Sequence, residues 1–368
     1  MIWAVYRGFT TGFRFHVVLL VFIAFYILLV FSLLYTIDLR QGWKVLFAKL
    51  PILIWPLAIN QFSFSEKSLI RVVQIFVGSL TLFCLYGLVV GVYVHFFTGH
   101  GDTLPAYQSA YLAGYMNFHA PYLAAYIVFA LFLLVHFGKN LFHIGLLAAA
   151  MFMLMATLIL LSTRQAFIAL AICSLVYSVW WAIERKKYWI PLVTVFAFVL
   201  LFILAYQFVD YFRYKIELVS NWSRIQGDPR YGIFINTWSV IRENIFWGHG
   251  VGDARELLTK SYERYGDQSL ISWNFNAHND LLTLWMYAGL PCALAYICAL
   301  VYPFVASLKA RAPIYAVFAT LIFMAGLTEN FLDRHKGVMF YAFFNALLFS
   351  IFLVNRPKHT QHESSAGA

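Results

Sequence analysis

Apolar runs of membrane-spanning length follow one another along almost the whole chain, and they decide most of what it can fold into. In hydrocarbon every backbone N–H and C=O must be paired inside the protein, so a run of about 20 apolar residues is a helix. Such runs lie at 15–37, 46–60, 70–97, 120–137, 141–162, 165–183, 188–209, 280–307, 313–331 and 337–354. The second is the weakest, being short, interrupted by Pro51 and Pro56, and preceded by Lys44 and Lys49. Composition agrees: the chain is 62% hydrophobic and 11% charged, against roughly 25% charged in a soluble domain. The expected fold class is all-α and polytopic, with about ten transmembrane helices. One transmembrane domain should cover 1–355, with a long loop at 210–279, and the polar stretch 356–368 reads as a disordered cytoplasmic tail. The first run lacks a small-residue cleavage site and reads as a retained helix.

Short loops set the expected orientation. With the N-terminus inside, the cytoplasmic loops hold Arg7 and Arg14, Lys67 and Arg71, Lys139, Arg185 to Lys187, Lys309 and Arg311, and Arg356 and Lys358, while the outer loop 98–119 holds no Lys or Arg. That is the positive-inside pattern. Arg40, Lys44 and Lys49 run against it. The loop 210–279 is basic, with Arg213, Lys215, Arg224 and Arg230 among its cations, but long loops translocate regardless of charge. The four cysteines all sit in apolar runs without a CxxC pair, so neither a disulfide nor a zinc site is expected.

The unusual residues then collect on the outer face. Ser162-Thr163-Arg164-Gln165 interrupts two apolar runs. On position alone Arg164 reads as an interfacial arginine reaching the headgroups; a phosphate contact is the other reading. Within the long loop, 231–246 is helix-like, with Phe234, Trp238, Ile241 and Ile245 at helical spacing, an apolar face suited to lie on the membrane. The run Gly248 to Asp253 has no preceding strand and no GK[ST], which excludes a phosphate loop and leaves a turn. Asn279 or Asp280 suits a helix cap, placing His278 just outside a helix N-terminus, where the dipole keeps imidazole neutral and able to accept a proton. An incidental histidine at a polar helix entry is the alternative. The segment from Thr328 to Lys336 reads as a charged turn, with Glu329 the exception because it abuts an apolar run. Arginines beside a neutral imidazole suit an anionic substrate, and guanidinium forks match phosphate.

In their order and loop length these motifs resemble the O-antigen ligase and polymerase superfamily of bacterial membrane glycosyltransferases, over roughly 140–350. The matching pieces are Ser162 to Ala166, Arg230 ahead of an amphipathic helix closing in Gly248-His249-Gly250-Val251-Gly252, and Ala277-His278-Asn279-Asp280 continuing to Tyr287-Ala288-Gly289-Leu290-Pro291. The family's usual Gly after the first Arg is Gln165 here, and its ligases commonly show about twelve spans. The resemblance implies a GT-C-like helical fold in the bacterial inner membrane, with the active site facing the periplasm. It implies transfer of a glycan from undecaprenyl pyrophosphate to a lipid A–core sugar, with inversion and without a metal or other cofactor. His278 becomes the general base, and Arg164 and Arg230 the pyrophosphate ligands. Trp238, Asn279 and Gln165 are expected to line the substrate site. The partners implied are the lipid-linked donor, the acceptor glycan and membrane lipids, with no nucleic acid.

A polymerase extending the glycan on its lipid carrier is the alternative within the superfamily. One large loop carrying both Arg230 and His278 favours the ligase. A flippase or other transporter would place ionisable residues at mid-span, and the span centres here are nearly free of charge.

Overall fold

The computed structural model describes residues 16–62, 64–97, 109–208, 227–266, 268–273 and 275–354. The expected tail 356–368, the N-terminal Arg7 and Arg14, residues 98–108 of the loop 98–119, and Arg213, Lys215 and Arg224 lie outside the described residues. Among the described residues every regular element is helical. In chain order they are α1 (Leu19–Phe31), α2 (Leu39–Lys49), α3 (Pro51–Ile59), α4 (Glu66–Phe97), α5 (Ser109–Tyr115), α6 (Ala120–Leu141), α7 (Ile144–Leu161), α8 (Arg164–Arg185), α9 (Ile190–Phe208), α10 (Pro229–Glu243), α11 (Ala254–Arg264), α12 (Gln268–Trp273), α13 (Asp280–Lys309), α14 (Pro313–Thr328) and α15 (His335–Phe349). Among the described residues, seven helical stretches are long and apolar enough to cross a membrane, α2 and α3 counting as one stretch, Leu39–Ile59. Three shorter apolar helices, Leu19–Tyr35, Ile190–Leu204 and Pro313–Thr328, match the remaining apolar runs.

Local chemistry sets the helix ends. Ser162 ends α7 in the left-handed region at φ 51°, so the chain turns and Arg164 opens α8. The side chain of Asp228 accepts from Arg230 N and caps α10. Asn279 Oδ1 accepts from Leu282 N and caps α13. Proline occupies the first turn of α3, α6, α10 and α14, where its missing N–H costs nothing.

The interior is built from α6, α13, α14 and α15. α13 packs on α1 and α14, α14 on α8 and α6, and α15 on α3. α14 is buried over most of its length, so its shortness does not expose it to lipid. Its 16 residues rise about 24 Å, less than the ~30 Å of a hydrocarbon core. The Arg311–Glu184 ion pair lies at the end where α14 starts; Glu329 lies at the other end and is buried.

The long 280–307 run is broken. Ala288 and Gly289 leave helical geometry, Gly289 at φ 74°. Pro291 has no N–H to offer Tyr287 O, and Leu290 N donates to Ile245 O instead of back along the helix. The glycine-rich run restores the lost partners: His249 N donates to Met286 O at 2.8 Å and Gly250 N to Tyr287 O at 2.9 Å. The run is therefore a backbone joint, as a turn reading of it implies. Its far side holds the first hairpin, where the Asp253 carboxylate accepts from Ile37 N and Asp38 N at 2.7 and 2.8 Å.

One expectation is corrected in part. α10 buries Ile233, Asn236, Thr237, Val240 and Ile241; of the stripe expected to lie on the membrane, Phe234 and Ile245 are exposed, while Ile241 is packed into the protein. Lys49, within Leu39–Ile59, is buried and its Nζ lies 2.6 Å from Asp333 Oδ1. This also explains why Lys49 defied the loop-charge pattern: it is an interior ion-pair partner, whereas Arg40 and Lys44 are exposed.

Candidate functional site

Among the described residues, five helices begin at the Glu329 end: α6 after His119, α8 at Arg164, α10 before Arg230, α13 at Asp280 and α15 after Arg334. Each helix start carries a partial positive charge from its unpaired N–H groups. The start of α8 has no side-chain cap, and the adjacent Thr163 hydroxyl is buried without a hydrogen-bond partner. Uncapped N–H groups beside an exposed arginine form a ready place for an anion.

Glu329 stands at the centre. Its Oε2 lies 3.1 Å from His278 Nδ1 and its Oε1 lies 3.7 Å from an Arg230 terminal nitrogen. Glu329 is nearly buried, the His278 side chain is 25% exposed and that of Arg230 59%. One carboxylate thus faces both an imidazole and a guanidinium that substrate can still reach. A carboxylate only accepts, so Nδ1 carries the hydrogen and Nε2 keeps its lone pair. His278 itself sits at φ 45°. It is held there by Asn276 Oδ1 accepting from its backbone N–H, and by the Phe275 ring at 5.6 Å.

A buried polar network fixes the dyad from below. Asn279 N donates to Asn330 Oδ1 at 2.7 Å, and Asn279 Nδ2 to Leu327 O at 3.0 Å. Asn330 Nδ2 donates to Thr283 and to Asp333, both at 2.9 Å. Asp280, fully buried, accepts from Leu332 N and from Tyr296. Burial by itself would raise the Asp333 carboxyl, but the Lys49 ammonium and the Asn330 amide outweigh it and hold it below the usual carboxylate range. Asn279 is thus a helix cap and a tie between α13 and the 329–333 turn.

The other expected residues fall as follows. Gln165 Nε2 donates to Ala325 O at 3.4 Å, the same carbonyl that accepts from Glu329 N. That contact brings the start of α8, and with it Arg164, to the Glu329 end. Arg164 is exposed and makes no ion pair among the described residues. Trp238 stands edge-on to Trp285 at 5.6 Å, with the Arg242 guanidinium 5.5 Å over its ring; the structure groups it with those two residues.

Sequence reasoning missed His119. Loss of water lowers its pKa below the usual histidine value; Glu329 acts to raise it, and Arg334 and His278 act to lower it further. Its ring packs edge-on to Tyr122, with centroids 5.5 Å apart. The 117–119 segment is held there by Lys336, which donates to Asn117 O and lies over the Phe118 ring at 4.2 Å, and by Tyr122, whose hydroxyl donates to Asn330 O.

Fold and site together define a polytopic all-helical membrane protein in which a histidine–carboxylate pair meets an arginine where several helices begin. Residues 148–297 match the family model described as O-antigen ligase, which supports the O-antigen ligase-like superfamily. That stretch contains Arg164, Arg230 and His278; Glu329 lies beyond it. No curated protein matches the chain.

Proposed function

We propose that the protein is an O-antigen ligase of the bacterial inner membrane, a GT-C-like glycosyltransferase with its site on the periplasmic face and both termini in the cytoplasm. It transfers a polysaccharide from undecaprenyl pyrophosphate to a lipid A–core sugar. The observation that carries this reading is the Glu329 carboxylate shared between His278 and Arg230. An acceptor hydroxyl gives its proton to His278 Nε2 as its oxygen bonds to the anomeric carbon. The bond from that carbon to the pyrophosphate breaks on the opposite face, and its electron pair leaves with the lipid pyrophosphate, inverting the centre. Glu329 orients the imidazole and stabilises the imidazolium that forms. Arg230, Arg164 and the uncapped start of α8 stabilise the charge developing on the leaving group. No step calls for a metal.

The test is the lipopolysaccharide of a deletion strain, complemented with wild type or His278→Ala. Loss of all polymer-capped chains with build-up of lipid-linked polymer, restored by wild type only, is the expected result. Core carrying a single repeat unit would instead assign a polymerase, and normal capping with His278→Ala would remove the base.

A further inference from the structure

Away from Glu329, a cavity of about 790 Å³ opens between the end of α1, the 244–249 joint and α11. It lies at the far end of α10 from Arg230. The 13 steps from Arg230 to Glu243 span about 20 Å, the reach of a short oligosaccharide. Two aromatic rings, Tyr35 and Trp247, share its lining with the carboxylates of Asp38 and Glu256, the Asn244 amide and Lys260. Trp247 is 68% exposed, yet its backbone is fixed on both sides. Its carbonyl accepts from Tyr35 Oη at 2.5 Å, and the preceding Phe246 carbonyl presses on Gly289 so closely that a Cβ there would lie 2.0 Å away. The backbone that carries this exposed ring is thus fixed, and beside it stand polar groups that include the exposed Glu256–Lys260 ion pair.

That combination suits sugars. A pyranose offers an apolar C–H face to an aromatic ring and a rim of hydroxyls to carboxylates and amides, and a rigid aromatic costs little entropy when it stacks. We propose that this cavity is a glycan-binding subsite, in which Trp247 and Tyr35 stack on sugar rings while Asp38 and Glu256 accept from sugar hydroxyls. The proposal rests on the glycan-transfer reading above and extends it to a second location. The sugar belongs either to the donor polysaccharide or to the acceptor core.

The test is calorimetric titration of the purified full-length protein in detergent. One arm uses polysaccharide released from its lipid carrier; the other uses dephosphorylated core oligosaccharide. Saturable binding in one arm names the source. Trp247→Leu, which keeps apolar character but loses the ring, should weaken that binding about tenfold; Trp247→Tyr should retain most of it, and Glu256→Gln should weaken it. His278→Ala should leave it unchanged, which separates this subsite from the transfer chemistry. Saturable binding that survives Trp247→Leu, or no saturable binding in either arm, would overturn the proposal, whatever the deletion strain shows about ligation.

Discussion

His278 and Glu329 stand 51 positions apart in the chain and 3.1 Å apart in space. The pairing makes Glu329 a positioning residue for the imidazole and not only a charge partner for Arg230. Glu329→Gln keeps the size and an acceptor oxygen but removes the charge that steadies the imidazolium. A fall in kcat of about 10–100-fold is expected, smaller than the ~10²–10⁴-fold loss for His278→Ala. KM for the lipid-linked donor should move little. Reconstituted transfer with purified donor measures both, and a KM change without a kcat change would assign Glu329 to binding alone.

The Lys49–Asp333 pair sets a second test. It is buried, and removing one partner of a buried ion pair typically costs about 3–5 kcal/mol because the other charge stays unpaired. Lys49→Met should therefore lower the thermal midpoint in detergent sharply, and Lys49→Met combined with Asp333→Asn should recover most of the loss. The pH dependence has a definite sign. The folded Asp333 carboxyl is held below its ordinary range, so its contribution is fully present above about pH 4 and disappears as pH falls through the depressed value. The wild type should lose stability along that acid branch, and the double variant should lose less.

How far the chain announces this architecture depends on the kind of interaction. The apolar runs and the helix caps at Asp228 and Asn279 are local signals, and the helices follow them. His278, Arg164 and Arg230 sit at helix starts that sequence pattern can locate. Glu329 was visible only as a carboxylate beside an apolar run; its role depends on a contact with His278 that no local pattern encodes. His119 gave no signal, because its place in the cluster comes from Tyr122 and Lys336 holding α6 against the 330–336 turn. Lys49 misled as a topology marker for the same reason: its partner lies 284 positions away.

Arginine geometry gives a third prediction. If Arg230 and Arg164 bind pyrophosphate as forks, lysine keeps the charge and loses the paired donors. Arg230→Lys and Arg164→Lys should each raise KM for the lipid-linked donor by about tenfold, in line with the roughly 1.5–3 kcal/mol of a charge-assisted hydrogen bond. Steady-state kinetics at varied donor concentration reads this directly. Full rescue by lysine at both positions would mean that simple charge suffices there.

The fourth prediction concerns the joint between Gly289 and the 245–250 segment. Gly289 lies at φ 74°, and a Cβ placed on it would come 2.0 Å from the Phe246 carbonyl oxygen. Neither strain has relief nearby, because Phe246 is fixed by the Leu290 N to Ile245 O bond on one side and the His249 N to Met286 O bond on the other. Left-handed backbone alone costs a non-glycine residue roughly 1–3 kcal/mol, and the clash adds to it. Gly289→Ala should break the exchange of hydrogen bonds that replaces the helical ones lost at Pro291. The expected outcome is a lower thermal midpoint and a fall in activity together, since α10 carries Arg230 and hangs from this joint. Gly78→Ala is the control: a Cβ there meets nothing within 4 Å, and alanine suits a helix interior better than glycine. If Gly289→Ala were as stable as Gly78→Ala, the joint would not be what holds the 245–250 segment on the kink of α13.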